Sequence, residues 1–217
     1  MRKNRIVLAA FAGIASGALG QSASLSIVAS QTVVDSTVTT SITLAVYGDA
    51  DLGTHLTSSG FGISADGGVG VVDNMVLDSV PSWVAPNYFD DGYAGDGNYN
   101  GLEVGQFVFL PFLQPDPATE LGNGPVLLAN FRVEISAGAT GVIDWDLVAI
   151  PDPHIPSNGI AITYTIDIYG CPACGPPGSI HGFVPNFGST SVRVVPAPSG
   201  LALIGLGVLV VGRRRCV

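Results

Sequence analysis

The stretch from Asn87 to Glu103 holds the densest set of groups able to do chemistry: Asn-Tyr-Phe-Asp-Asp-Gly-Tyr-Ala-Gly-Asp-Gly-Asn-Tyr-Asn-Gly-Leu-Glu. Asp96, Asn98 and Asn100, followed by Gly101, have the spacing of the first half of a D-x-N-x-N-G calcium loop. In such a loop alternate residues turn their oxygens to one centre and Gly permits the sharp bend. The place of the bidentate acid is taken by Phe107, so calcium here requires a non-standard set that draws on Asp90, Asp91 or Glu103. The competing reading is a long polar β-loop rich in turn formers. Tyr88, Tyr93 and Tyr99 stand among these carboxylates and amides, with Phe89 beside them. Exposed rings flanked by Asp and Asn suit stacking on a sugar with hydrogen bonds to its hydroxyls. The same rings, partly buried, would instead close the end of a β-domain.

Other chemical motifs are sparse. Cys171-Pro172-Ala173-Cys174 is a CxxC that runs into Gly175-Pro176-Pro177-Gly178, which cannot start the helix a redox thiol would need. In an exported chain, a loop-pinning disulfide between Cys171 and Cys174 is the expectation. Zinc would need two more ligands; there is no second CxxC, and His154 and His181 lack ligand spacing. No G-x-S-x-G, H-E-x-x-H or P-loop occurs. Gly178-Ser179-Ile180-His181-Gly182 sets Ser and His together without an elbow or a third partner. Asp144 and Asp146 fall on one face of one strand and do not converge across a sugar ring. The expected class is therefore non-enzymatic and without a resident cofactor, calcium apart. A secreted hydrolase is the more distant alternative.

Charge narrows the partners. Of eight basic residues, six sit at the extreme ends (Arg2, Lys3, Arg5, Arg213, Arg214, Arg215). All seventeen acids lie between Asp35 and Asp167, so residues 21–195, with only Arg132 and Arg193, carry a net −15. Such a surface repels nucleic acid, whose binding needs Lys and Arg at the phosphates. It suits solubility, cation binding or neutral partners such as an extracellular polysaccharide.

The elements that must position these residues have a period of two. Val38, Thr40, Ile42, Leu44 and Val46 alternate with Thr37, Thr39, Ser41 and Thr43. Leu127, Ala129, Phe131, Val133 and Ile135 alternate with Asn130, Arg132 and Glu134. Ile143, Trp145 and Leu147 alternate with Asp144 and Asp146, and Ile160 to Ile168 repeats the pattern. Shorter strands are expected at 24–30, 61–64, 70–77, 106–110 and 190–195. About nine strands separated by Gly, Pro, Asn and Asp, each with one wet face, predict an all-β antiparallel β-sandwich as a single domain. Trp145 and Tyr164 read as core; Trp83, between Pro81 and Pro86, is ambiguous.

The ends are addresses. Met1-Arg2-Lys3-Asn4-Arg5, an apolar run from Ile6 to Leu19, and Ala18-Leu19-Gly20 make a secretory signal over 1–20, cut by signal peptidase. Residues 196–217 read Pro196-Ala197-Pro198, an apolar stretch from Leu201 to Val211, and Arg213-Arg214-Arg215. The uncharged run from Val194 to Gly212 reaches about 28 Å as a helix, barely a membrane span, and the arginines stay cytoplasmic. This three-part tail resembles the PEP-CTERM sorting signal, in the Pro-Ala-Pro variant of planctomycete-type bacteria, with Ala197 where the family usually has Glu. Similar tails sit on some ice-binding proteins. The resemblance implies an exosortase-like membrane enzyme as partner, transient anchoring in the inner membrane, and delivery to the cell surface or extracellular matrix. Separately, Ser36 to Tyr47, and Gly124 to Val133 with the turn at Ala137 to Gly141, resemble strands of cohesin-type or carbohydrate-module-type sandwiches, a jelly-roll-like group. The overall expectation is an exported surface or matrix protein, with a carbohydrate-binding module, calcium-dependent in one form, as the alternative.

Overall fold

The computed structural model describes residues 23–50, 55–86, 88–106, 115–121, 124–150, 163–166 and 180–196. Within them the alternating stretches form strands, as their β-branched and aromatic content favours. In chain order these are β1 (Ala23–Ala29), β2 (Val33–Asp35), β3 (Thr40–Ala50), β4 (His55–Asp66), β5 (Val72–Ser79), β6 (Phe89–Asp90), β7 (Tyr93–Gly95) and β8 (Asn98–Gly105). A short 3-10 helix, Pro117–Thr119, precedes β9 (Val126–Ile135), β10 (Gly141–Val148), β11 (Thr163–Ile166), β12 (Ile180–Phe183), β13 (Asn186–Phe187) and β14 (Ser189–Val195).

Two sheets result. One has the order β13-β1-β3-β9-β5; the other runs β12-β11-β4-β10-β14-β2, with β8 on the far edge of β4 and β6 and β7 on β8. Their inner faces bury one apolar cluster, including Leu25, Leu44, Phe61, Met75, Leu128, Phe131 and Trp145. Phe131 meets Phe61 and Tyr99 edge-on, at centroid distances of 6.3 and 4.8 Å. Edge-to-face contact satisfies the ring quadrupoles while filling the space between the sheets.

Several expectations shift in detail. The strand read from Val38 begins at Thr40, and Val38 is exposed. Simple alternation puts Leu127 on the inner face of β9; instead Val126 and Leu128 are buried and Leu127 is half-buried. A bulge causes this: Val46 pairs with Ala129 but Tyr47 pairs with Leu127, which flips the alternation. The sandwich is not wholly antiparallel, since β13 runs parallel to β1 and β14 parallel to β2. The cause is one chain segment that serves both sheets, with Gly188 at the crossing. There Gly188 donates its N–H to Leu25 O at 2.8 Å, and a Cβ would lie 3.0 Å from that oxygen. Because β13 parallels β1, the chain enters at one pole of the sandwich and β14 leaves at the other. Nine residues separate Asn186, level with Ser24, from Val195, about 30 Å of extended chain.

Trp145 and Trp83 are both buried. The expected strand at 106–110 lies outside the described residues except Gln106, and of the one read at 160–168 only the backbone of Thr163–Ile166 is described. The signal segment 1–20, and the tail beyond Pro196, also lie outside them. Among the described residues no helix is long and apolar enough to cross a membrane.

Candidate functional site

The stretch that resembles a calcium loop is a β-hairpin. Asp96 (φ 53°) and Gly97 (φ +86°) make its turn, a left-handed pair suited to a two-residue hairpin loop. Asn98 opens β8, which pairs with β4 over Ser58–Ile63 on one edge and with β6 and β7 on the other. Asn98 is committed within the chain: its Oδ1 accepts from Ala65 N at 2.9 Å and its Nδ2 donates to Gly95 O at 3.0 Å. Asp90 Oδ1 accepts from Gly92 N and from the Tyr99 hydroxyl. Asn100 is exposed and reaches Asp91 O at 3.5 Å. Asn98 and Glu103 lie five residues apart on one strand, about 17 Å. The six oxygen-bearing residues Asp90, Asp91, Asp96, Asn98, Asn100 and Glu103 are therefore strung along a hairpin and do not surround one centre. Among the described residues no group of three or more His, Cys, Asp or Glu is placed to hold a metal.

The three candidate stacking rings part company. Tyr99 is buried against Phe131 and offers no face to a sugar. Burial, together with the hydrogen bond to Asp90 and that carboxylate's charge, pushes the Tyr99 phenol well above its ordinary range. Tyr93 is half-buried, and its hydroxyl accepts from Gly97 N at 3.2 Å and contacts Val72 O at 3.4 Å. Trp145 Nε1 donates to Gly97 O at 3.2 Å. These rings thus clamp the hairpin turn to the core, while Tyr88 remains exposed beside Phe89 and Asp90. Cys171 and Cys174 fall outside the described residues.

A second constellation lies at the pole where β1 enters. His55 starts β4, Gln106 follows β8, and Asp116 caps the 3-10 helix that ends at Thr119. Asp116 Oδ1 accepts from Ala118 N, and Pro117 at the first helical position loses no needed donor. His55 and Thr119 are buried. His55 Nδ1 lies 3.2 Å from Thr119 Oγ1 and 3.2 Å from Asp116 O. Gln106 Nε2 donates to Thr119 Oγ1 at 2.9 Å and to Leu56 O at 2.5 Å, while its Oε1 accepts from Asp116 N at 2.8 Å. Such a packed polar cluster is possible only because each group is paired. Sequence reading missed it, since 64 residues separate His55 from Thr119 and no local spacing links them. The one local signal was Asp116-Pro117-Ala118-Thr119, a helix-start pattern.

Asp144 and Asp146 lie on the solvated face of β10, as expected, and Asp144 sits directly across from Asp66 of β4.

The solved structures this fold is similar to are cohesin domains, the group that the stretches at 36–47 and 124–133 resemble. The seventh ScaB type I cohesin from Pseudobacteroides cellulosolvens matches with a TM-score of 0.47 and 9% identity, over 81% of this chain and 96% of that one. A type I cohesin–dockerin complex from Clostridium thermocellum, Coh-OlpA-Doc918, gives a TM-score of 0.45 and 10% identity, over 79% of this chain and 99% of that one. Neither a family model nor a curated protein sequence matches the chain.

Proposed function

We propose that this chain is an exported, non-enzymatic β-sandwich protein of the cell surface or extracellular matrix, sorted through residues 196–217 by an exosortase-like enzyme. The observation that carries this reading is the exposure of Pro196 directly after the last described strand. β14 ends at Val195, tied by its parallel pairing to β2, and Pro196, the first residue of the sorting motif, is exposed. A membrane enzyme that reads the motif can therefore meet Pro196 with the sandwich intact. Deleting 196–217 and fractionating the cells tests this: release of the protein into the medium is expected, and unchanged retention on the envelope would refute it.

A second reading, an extracellular polysaccharide-binding module, is favoured by Tyr88, which stands exposed beside Asp90 and Asp91. It predicts glycan-array binding that Tyr88→Ala abolishes; binding unaffected by that change would remove the site.

A further inference from the structure

We propose that Thr119 and Gln106 join in an intramolecular ester bond, formed by the protein on itself with His55 as the base. The nucleophile, the carbonyl it attacks and the base already sit in one hydrogen-bonded cluster. Thr119 is fully buried and His55 nearly so. The Thr119 hydroxyl donates to Asp116 O at 2.7 Å, and rotation about its own C–O bond aims the same proton at His55 Nδ1, 3.2 Å away. Asp116 O, also 3.2 Å from His55 Nδ1, can only accept, so at rest Nδ1 carries the ring proton; in the other tautomer, with the proton on Nε2, Nδ1 is free to draw the hydroxyl proton as general base. The Gln106 carboxamide cannot turn away, because Nε2 is bound to Leu56 O and to Thr119 Oγ1 while Oε1 is bound to Asp116 N. That last contact, at 2.8 Å, places a backbone N–H on the oxygen that gains negative charge as Oγ1 adds.

The chemistry balances without any co-reactant. Thr119 Oγ1 forms a bond to Gln106 Cδ as its proton passes to His55. The tetrahedral centre collapses, the Cδ–Nε2 bond breaks, and His55 returns the proton to the departing nitrogen, which leaves as ammonia. His55 ends unchanged. Burial of Thr119 and His55 limits the approach of water to the hydroxyl side of the ester, while Gln106 is half-buried. The alternative, a cluster held by hydrogen bonds alone, leaves the amide intact.

Mass decides between them. Acyl transfer from an amide to a hydroxyl removes ammonia, so the protein purified from its exported fraction should be lighter than its sequence by about 17 Da. Cyclisation of an N-terminal Gln21 would remove the same mass, so the loss must be located. Cleavage after glutamates yields residues 104–120 as one peptide, which contains both Gln106 and Thr119 and no asparagine. The expectation is a 104–120 peptide light by the mass of ammonia and opened by hydroxylamine. The deficit disappears in Thr119→Val, whose 104–120 peptide has its full sequence mass, and His55→Ala retains its amide. A wild-type 104–120 peptide at its sequence mass overturns the proposal. So does a deficit in that peptide that persists in Thr119→Val, a near-isostere that tests the point even if His55→Ala fails to fold.

Discussion

Replacing Tyr99 by phenylalanine removes one hydroxyl from a buried ring and leaves its packing on Phe131 intact. The hydroxyl donates to Asp90, and a hydrogen bond to a charged group is worth about 1.5–3 kcal/mol. Asp90 is exposed and regains water when the partner goes, so the low end, about 1.5 kcal/mol, applies. The effect also depends on pH. The folded protein holds the Tyr99 proton well above the ordinary phenol range, whereas the unfolded chain releases it near pH 10. Folding above pH 10 must therefore take up a proton. Stability from this group is complete below pH 10 and falls by at most about 1.4 kcal/mol per pH unit above it. At pH 11 the loss has reached about 1.4 kcal/mol, which nearly cancels the wild-type advantage. The Tyr99→Phe variant has no phenolic proton to lose at this position, so general alkaline destabilisation of this acidic domain drops out of the comparison. Urea unfolding followed by the fluorescence of Trp83 and Trp145, both buried, reads the gap at pH 8 and pH 11. A gap of about 1.5 kcal/mol at pH 8 that closes by pH 11 is expected. An equal gap at both would mean that Tyr99 ionises alike in folded and unfolded chains, and the burial reasoning would fall.

Gly97→Ala should cost about 2–3 kcal/mol in the same assay, because φ is +86° and the new Cβ would lie 2.9 Å from Ala65 Cβ and 3.4 Å from Trp145 Nε1. Gly138→Ala, at φ +75° in open space, isolates the backbone part and should cost only about 1 kcal/mol; equal losses would show that the hairpin turn does not pack on the core. Asp144→Asn relieves the like-charge pair with Asp66 and should stabilise by about 0.2–1 kcal/mol at low salt. That gain should fade near 1 M salt, where the Debye length is about 3 Å; a gain independent of salt would assign it to something other than repulsion.

The alternation of Ile42, Leu44 and Val46 was legible because it rests on side-chain type alone. The bulge at Leu127 was not, since it is set by which residues of β3 oppose β9. Asn98, Asn100 and Gly101 are poor strand formers, so 87–103 read as a polar loop. Tertiary pairing overrode local preference there: Phe61 opposes Leu102, and Tyr99 fits against Phe131. The oxygen spacing that imitates a calcium loop has period two, and an extended strand shares that period while pointing its residues along a line. The resemblance of the tail to a sorting signal rests on local sequence alone. The His55–Gln106–Thr119 cluster was invisible because only the fold brings it together.

The ester does for residues 106–119 what cysteine does not do in this chain. The three cysteines are Cys171, Cys174 and Cys216, so no disulfide can close the excursion that leaves β8 at Gln106 and returns at Thr119. Thirteen residues separate the two side chains, and in the chain-entropy account a cross-link of that reach stabilises by about 3 kcal/mol. Against a net stability of about 5–15 kcal/mol that is a large share. Hydrogen bonds alone at Thr119 would account for only about 1–2 kcal/mol. The two cases also differ after unfolding. A covalent tie persists in urea and keeps the denatured chain more compact, so wild type should unfold with a smaller dependence on urea than Thr119→Val. Equal urea dependence, with a stability difference near about 1 kcal/mol, would leave Thr119 as a hydrogen-bonding residue and nothing more.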